Sequence, residues 1–284
     1  MILVTGASGQ LGRLVIESLL HKVPAAQIVA AVRNPQSVAD FAARGVQVRQ
    51  ADYDQPASLH SAMAGVSKVL LISSSAVGQR IAQHAAVIDA AKQAGVKLLA
   101  YTSILRADSS PLPLAAEHKA TEELIKESGL PYVFLRNGWY TENYLAGVAP
   151  AIQYSALLGC AGEGRIASAA RADYAEAAAV VLSSEAAVQP IYELAGDQAY
   201  TLTAFAAELA QVSGKPVIYR DLPEADYKAA LLGAGLPEGF AGLLAASESG
   251  AAKDGLFDDT HQLSSLIGRP TQSWQAQLKA AVAG

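Results

Sequence analysis

The sequence of 284 residues is poor in cysteine, in charged residues and in long apolar runs. Its single cysteine cannot form a disulfide within the chain, which is typical of proteins from reducing compartments. No basic run offsets the net charge of −5, so nucleic acid is not expected as a partner. No apolar stretch reaches the roughly 18 residues of a membrane span, and no signal peptide is recognisable, so we expect a cytoplasmic protein without a membrane span.

Metal-ligand patterns are also missing from the sequence. The histidines are scattered, with no His-x-x-x-His pair and no cysteine cluster, so we expect no metal site. The cysteine, Cys160, follows a glycine in a Gly-rich stretch, and we interpret it as a small residue near a loop rather than as a nucleophile. These absences leave few chemistries open to the protein's own side chains.

The first half of the chain alternates regularly between short apolar runs and amphipathic stretches of helical length. The apolar runs lie at residues 2–5, 28–32, 46–49, 69–72, 98–101 and 132–135. Continuous rather than alternating apolar runs are typical of strands buried on both faces of a parallel sheet. Repeated strand–helix–strand units with short connections predict right-handed crossovers. We therefore predict an α/β fold with a doubly wound parallel sheet of the Rossmann type.

The alternation stops after about residue 137. A helix at 174–184 and a strand at 191–194 are predicted to return to the main sheet. Further helices are predicted at 204–213, 224–232, 239–247 and 272–282, with a short strand at 217–219. We therefore predict a Rossmann domain over residues 1–150, joined by a late strand and helix from about 165–195. A smaller, mostly helical lobe is predicted over residues 196–284.

The most specific local pattern is a Gly-x-x-Gly-x-x-Gly loop between the first strand and the first helix. A glycine is needed for the tight turn, another for close approach of a pyrophosphate, and a third for helix–sheet packing. The exposed N–H groups and the helix dipole then hold the phosphates. The sequence of this loop is Thr5-Gly6-Ala7-Ser8-Gly9-Gln10-Leu11-Gly12. It predicts that the first domain binds a dinucleotide.

The end of the second strand indicates which dinucleotide is bound. NAD-binding domains place an acidic residue here for the ribose 2′-OH, but this sequence has Arg33. A guanidinium pairs well with a 2′-phosphate, so we predict NADP(H) rather than NAD(H). The fourth strand ends in Ser73, Ser74 and Ser75, which either line the cofactor or serve as ordinary turn residues.

The proton donor of ordinary short-chain dehydrogenases is missing. These enzymes use a Tyr-x-x-x-Lys pair, and no tyrosine in this sequence is followed by lysine four residues later. Lys119 lies in the expected helix, but Ala115 occupies the tyrosine position. Reduction of an isolated carbonyl to an alcohol needs a good proton donor. Reduction of a quinone gives an anion whose charge is delocalised, so this reaction does not need a strong acid. His118, near the start of this helix, either contacts a substrate or lies on the helix surface.

Several further segments carry a resemblance to a known family: Val32-Arg33-Asn34-Pro35, Leu135-Arg136-Asn137-Gly138-Trp139-Tyr140, Glu142-Asn143-Tyr144-Leu145 and Ala170-Arg171-Ala172-Asp173-Tyr174. With the glycine loop, they resemble the NmrA-like branch of atypical short-chain dehydrogenases. Within that branch, the sequence is most similar to the bacterial NADPH-dependent quinone oxidoreductases of type 2. The resemblance covers essentially the whole chain.

The resemblance implies direct hydride transfer from NADPH to a small-molecule quinone without flavin. It implies that the loop and Arg33 bind the phosphates, that the three serines line the cofactor, and that the small lobe covers the acceptor site. A loop closing over the nicotinamide would comprise Asn137, Gly138, Trp139, Tyr140, Thr141 and Glu142, with Arg171 near it. Trp139 and Tyr140 either hold the quinone or pack this loop onto the lobe.

Two alternatives remain open from the sequence. NmrA-like proteins include redox sensors that bind NADP(H) without turnover, and the missing Tyr–Lys pair fits that interpretation as well. Triarylmethane dye reductases of the same branch pass hydride to a carbocation, which likewise needs no acid. A homodimer stays open as an assembly state, since no heptad or isolated apolar stripe identifies an interface.

Overall fold

The structure is a computed structural model that describes residues 1–283. Its strands are β1 Ile2–Val4, β2 Ile28–Val32, β3 Gln47–Gln50, β4 Lys68–Leu71, β5 Leu98–Ile104, β6 Tyr132–Asn137, β7 Ala156–Gly159, β8 Ile191–Leu194 and β9 Ile218–Asp221. Its first helices are α1 Gln10–Leu20, α2 Ala39–Ala43, α3 Pro56–Ala62, α4 Arg80–Gln93, α5 Ala115–Ser128, α6 Thr141–Leu145 and α7 Val148–Tyr154. The later helices are α8 Arg171–Ser183, α9 Leu202–Ser213, α10 Glu224–Gly233, α11 Glu238–Ala251, α12 Gln262–Ile267 and α13 Trp274–Ala283.

Seven strands form one sheet in the order β3-β2-β1-β4-β5-β6-β8. The pairings from β3 through β6 are parallel. Every residue of β1 and β2 is buried, which explains the continuous apolar runs in the sequence. The predicted doubly wound parallel sheet is therefore confirmed. Within residues 1–283, no helix is both long and apolar enough to cross a membrane.

The helices cover both faces of this sheet. On one face, α1 buries Leu11, Val15, Ile16 and Leu19, whose spacing puts them on one stripe of the helix. This stripe packs against α8, where buried alanines allow close approach of the two backbones. On the other face, residues of α3, α4 and α5 join the strands in a continuous hydrophobic core.

The chain divides into two compact units, each built from discontinuous segments. Unit 1 comprises residues 1–104, 116–137 and 171–192, and unit 2 comprises 105–115, 138–170 and 193–284. This division differs from the predicted boundaries at several places, since residues 165–170 and 193–195 of the predicted late return to the Rossmann domain belong to unit 2. Residues 138–150 group with unit 2, and so does the loop 105–115 that follows β5. Helix α8 belongs to unit 1, where it packs against α1.

Unit 2 contains a small parallel sheet that the sequence pattern did not predict. Strand β7 pairs with β9, so the short strand expected at 217–219 has a partner about sixty residues earlier. The helices pack around an aromatic cluster of Tyr144, Tyr200, Phe205 and Trp274. Helix α9 begins after Thr201, whose hydroxyl caps the helix by accepting a hydrogen bond from the N–H of Ala204.

A buried ion pair ties α5 to β6 in unit 1. Both side chains are almost completely buried, and Arg136 contacts Glu122 in bidentate geometry at 2.9 Å (Nε–Oε1) and 2.6 Å (Nη2–Oε2). The hydroxyl of Ser103 on β5 donates to the same Oε1 at 2.6 Å. Loss of this carboxylate would leave the guanidinium of Arg136 as an uncompensated buried charge.

We predict that Glu122→Ala lowers the free energy of unfolding by about 3–5 kcal/mol, the usual cost of breaking a buried ion pair. Urea denaturation followed by circular dichroism measures the change. Glu123→Ala, at the exposed next position of the same helix, is the matched control and should change stability by less than about 0.5 kcal/mol. Equal effects of the two substitutions would contradict the role of the buried pair.

Candidate functional site

The centre of the sheet creates a crevice at its carboxyl edge. Strands β1 and β4 are neighbours, but the connection after β1 leads towards β2 and β3, whereas the connection after β4 leads towards β5 and β6. The two loops therefore separate at this edge, which is where doubly wound sheets bind ligands. The glycine loop follows β1, and the serines at 73–75 follow β4. The structure thus brings two predicted cofactor segments to the same crevice.

The glycine loop is too tight for side chains at its critical positions. Gly6 has a φ of +57°, and a Cβ on Gly12 would lie 2.4 Å from the carbonyl oxygen of Gly6. Helix α1 begins after Gly9 without a side-chain cap and with no acidic residue in its first turn. Its first N–H groups and the positive end of its dipole are therefore available to an anion. This cradle fits the pyrophosphate of a dinucleotide.

Arg33 lies exposed at the end of β2 and makes no ion pair within residues 1–283. Two other arginines of unit 1 differ from it, because Arg13 pairs with Asp40 and Arg44 pairs with Glu17. The hydrogen bond from Arg13 lowers the pKa of the Asp40 carboxyl below its usual value, so this acid stays charged and paired. Arg33 is thus exposed and unpaired among the described residues, and its pairing with a 2′-phosphate stays a prediction.

Where β4 ends, side chains instead of neighbouring strands accept the hydrogen bonds of the backbone. The N–H groups of residues 72, 73 and 74 donate in that order to Thr5 Oγ1 at 3.0 Å, Thr102 Oγ1 at 2.8 Å and His84 Nε2 at 2.9 Å. The acceptors come from the end of β1, from β5 and from α4. Every backbone donor of this segment is therefore satisfied without closing the crevice. His84 could not be predicted from the sequence, because it has no local signal beyond being a histidine in a helix.

A second histidine lies close to this segment. His118, in the first turn of α5, is buried, and its Nδ1 lies 2.8 Å from the hydroxyl oxygen of Tyr101. Burial, with smaller contributions from Arg80 and His84, lowers the pKa of His118 to about 3. The neighbouring Glu117 accepts a hydrogen bond from the N–H of Gly78 at 2.8 Å. These contacts link α5 to the loop that follows β4.

The remaining predicted residues divide between the two units. Asn137 ends β6 in unit 1, and its buried Oδ1 has no hydrogen-bond partner among the described residues, so it is suited to an amide donor. Arg171 begins α8, also in unit 1. Residues 138–142 belong to unit 2, where Trp139 and Tyr140 are half-buried. There, the hydroxyl of Thr141 forms a hydrogen bond with Ser168.

The residues nearest to a dehydrogenase catalytic pair are structural. The hydroxyl of Ser103 donates its hydrogen bond to the buried carboxylate of Glu122, and Lys119 is exposed on α5. Cys160 is buried in unit 2, and burial together with nearby acids raises the pKa of its thiol to about 12. It is therefore not an activated nucleophile. Within residues 1–283, no group of three or more metal-binding side chains is close enough to hold an ion.

A Rossmann sheet with a glycine-lined cradle in the crevice at its carboxyl edge defines a dinucleotide-binding protein. Residues 6–185 match the family described as NAD(P)H-binding, and the chain belongs to that family. It is 59% identical over 271 residues to Quinone oxidoreductase 2 of Escherichia coli, covering 95% of each chain. The resemblance to the type 2 quinone oxidoreductases of the NmrA-like branch is therefore confirmed.

Solved structures give the same assignment. The crystal structure of the NADPH-dependent quinone oxidoreductase 2 from E. coli complexed with NADPH superposes with a TM-score of 0.97 at 58% identity, over 99% of both chains. The triphenylmethane reductase of Citrobacter sp. complexed with NADP(H) superposes with a TM-score of 0.95 at 42% identity, over 99% of this chain and all of the other. Both relatives thus share the complete fold.

We predict that Gly12→Ala abolishes measurable dinucleotide binding, because its methyl group would overlap the Gly6 carbonyl and distort the cradle. Fluorescence titration with NADPH measures the affinity, and circular dichroism verifies that the protein is folded. Gly233→Ala is the control, since a Cβ at that position meets nothing within 4 Å. Unchanged binding by the Gly12 variant would refute the assignment of the loop.

Proposed function

We propose that this protein reduces quinones with NADPH by direct hydride transfer, without a flavin. The observation that carries this proposal is the 59% identity to Quinone oxidoreductase 2 over nearly the whole of both chains. The missing Tyr–Lys pair supports the same chemistry, because a quinone accepts hydride without a strong acid. The proposed cofactor is NADPH because Arg33 occupies the position where NAD-binding domains have an acidic residue.

The described residues fit the parts of NADPH one by one. The cradle of residues 6–11 would hold the pyrophosphate, and Arg33 would pair with the 2′-phosphate. The fixed backbone of residues 73–75 would line the ribose and nicotinamide, and the unpartnered Oδ1 of Asn137 would accept from the carboxamide. NADPH would supply one hydride, that is, two electrons and one proton. The protein's task is to orient the acceptor, for which we propose His118. That Trp139 and Tyr140 contact the acceptor stays a prediction from the sequence.

A second acceptor class is supported by the similarity to triphenylmethane reductase. A triarylmethane carbocation also accepts hydride without acid catalysis, so the same residues could serve either reaction. The quinone is preferred because that relative is more similar, at 59% identity. An NADP(H) sensor without turnover is the remaining interpretation of the missing Tyr–Lys pair.

We predict quinone-dependent oxidation of NADPH by purified protein whose absorbance spectrum shows no flavin. The loss of NADPH absorbance measures turnover with a small soluble quinone, and a triarylmethane dye is compared at equal concentration. Faster turnover of the quinone supports the proposal. Preference for the dye would move the protein to the dye reductases, and tight NADPH binding without turnover of either would make it a sensor.

We predict that Arg33→Ala weakens NADPH binding by about 10- to 100-fold, the loss expected for a charge-assisted hydrogen bond, while NADH binding stays unchanged. Fluorescence titrations with both nucleotides give the ratio of affinities. Arg44→Ala is the matched control, because Arg44 is already paired with Glu17. An equal loss of affinity for NADPH and NADH would disprove the pairing of Arg33 with the 2′-phosphate.

A further inference from the structure

The protonation of His84 follows from its hydrogen bonds. Its Nε2 accepts from the backbone N–H of Ser74, so Nε2 carries no proton. The proton of the neutral ring is therefore on Nδ1, which lies 2.9 Å from Thr121 Oγ1 and donates to it. The hydroxyl of Thr121 donates in turn to the carbonyl of Glu117 at 2.8 Å. Burial lowers the pKa of His84 to about 4, which agrees with a neutral ring.

The hydrogen bonds around Tyr101 and His118 also indicate which of the two carries the shared proton. The hydroxyl of Tyr101 lies 2.8 Å from Nδ1 of His118. Thr121 is also beside this hydroxyl, but its own proton goes to Glu117 and its oxygen already accepts the proton of His84. His118 is therefore the better acceptor. Burial raises the pKa of the Tyr101 phenol, which stays protonated, and lowers that of His118, which stays neutral. The phenol therefore donates to Nδ1, and the imidazole proton of His118 is on Nε2.

We propose that Tyr101 is a positioning residue that holds His118 as the neutral Nε2–H tautomer, and that this N–H donates a hydrogen bond to the acceptor oxygen. The second part rests on the proposed quinone reduction. The first concerns only the resting protein and can be tested without turnover. No sequence motif predicts the contact between Tyr101 and His118, because the two residues lie on different elements.

The placement of the ring supports this role. Nδ1 faces Tyr101 on the buried strand β5, so Nε2, on the opposite side of the imidazole, points away from that strand. His118 lies in the first turn of α5, which starts at the carboxyl edge of the sheet, next to the segment after β4. Among residues 1–283 this imidazole forms its hydrogen bond at Nδ1, which leaves the N–H at Nε2 for a ligand.

The charges around His118 favour a neutral donor over an imidazolium. Helix α4 contributes Arg80 and the neutral His84, both of which lower the pKa of His118. Helix α5 itself carries Glu117, whose Oε2 lies 3.9 Å from Nη1 of Arg80, and Glu122, which is paired with Arg136. Both carboxylates are thus engaged elsewhere, and neither is recorded as a hydrogen-bond partner of the imidazole.

A neutral imidazole N–H suits the charge change of the proposed reaction. Addition of one hydride to a quinone gives a hydroquinone monoanion, with the negative charge on oxygen. The N–H of His118 would stabilise this oxygen by a hydrogen bond without transferring its proton, because an imidazolate is too basic to form here. The monoanion takes its one missing proton from water, which completes the balance of quinone, hydride and proton.

Nitrogen NMR of the full-length protein tests the tautomer directly. Protein labelled with ¹⁵N at histidine should show, at neutral pH, a protonated Nε2 and an unprotonated Nδ1 for His118. The signals are assigned by their loss in His118→Gln. Tyr101→Phe removes only the donating hydroxyl and should shift these signals towards a mixture of tautomers. An Nδ1–H form or an imidazolium in the unsubstituted protein would overturn the proposal.

Kinetics tests the consequence for catalysis. We expect Tyr101→Phe to lower kcat for a quinone by about 3- to 10-fold, the value of one net hydrogen bond, with an unchanged KM for NADPH. His118→Leu should lower kcat by about 100-fold, as loss of an oxyanion donor does. His118→Gln keeps an N–H near the Nε2 position and should recover most of the activity.

The double variant separates positioning from general stability. In the His118→Gln protein, adding Tyr101→Phe should have no further effect on kcat, because glutamine has no tautomer to fix. Tyr154→Phe, at an exposed site, is the control for loss of a phenol hydroxyl. A full Tyr101→Phe effect in the His118→Gln background would overturn the proposal. If the unsubstituted protein reduces no quinone, the proposed function fails, and the NMR tautomer alone decides the role of Tyr101.

Discussion

The functional edge of this protein depends on how the backbone N–H groups beyond β4 are satisfied. In a buried parallel sheet an unpaired donor is costly, yet a ladder continued between β1 and β4 would fill the crevice. Thr5, Thr102 and His84 resolve this conflict by accepting the three donors with their side chains. The segment after β4 is thereby held firmly beside an open space, and that space can take a cofactor. The glycine cradle on the other side of the crevice keeps the space open by having no side chains, and it leaves its N–H groups for the phosphates.

The absence of the Tyr–Lys pair is part of the same arrangement. Ser103 and Lys119 occupy the region where a short-chain dehydrogenase places its acid, but one is bonded to a buried carboxylate and the other is exposed. The first turn of α5 instead carries the neutral His118, which contacts Tyr101 of β5. The proposed site would orient an acceptor and stabilise negative charge, but it would not deliver a proton as a strong acid does. This limit restricts it to acceptors whose reduced forms are stable anions or neutral molecules.

The sequence predicted the sheet because buried strands are written as continuous apolar runs, and it predicted the cradle because glycines at fixed spacing have a defined purpose. It predicted the end of β5 too early, at Tyr101, because Thr102 and Ser103 look like turn residues until their hydroxyl partners are known. For the same reason β6 continues through Arg136, whose charge is neutralised by a distant glutamate. Strand β7 was missed because its partner is far away in the chain. The roles of His84 and His118 could not be predicted, because they depend on which ring nitrogen carries the proton. Only the hydrogen bonds of the folded protein indicate that.

The discontinuity of unit 1 has a consequence for biosynthesis. The chain leaves this unit after residue 137 and returns only with α8 and β8, which cover α1 and the edge of β6. A nascent chain that has emerged as far as β6 therefore carries an apolar helix face and an unpaired strand edge, both of which favour aggregation. Completion must wait until residues up to 192 have left the ribosome, whereas the cradle for the cofactor is made within the first few residues. Nucleotide present during synthesis could thus meet its binding loop long before the surrounding sheet is closed.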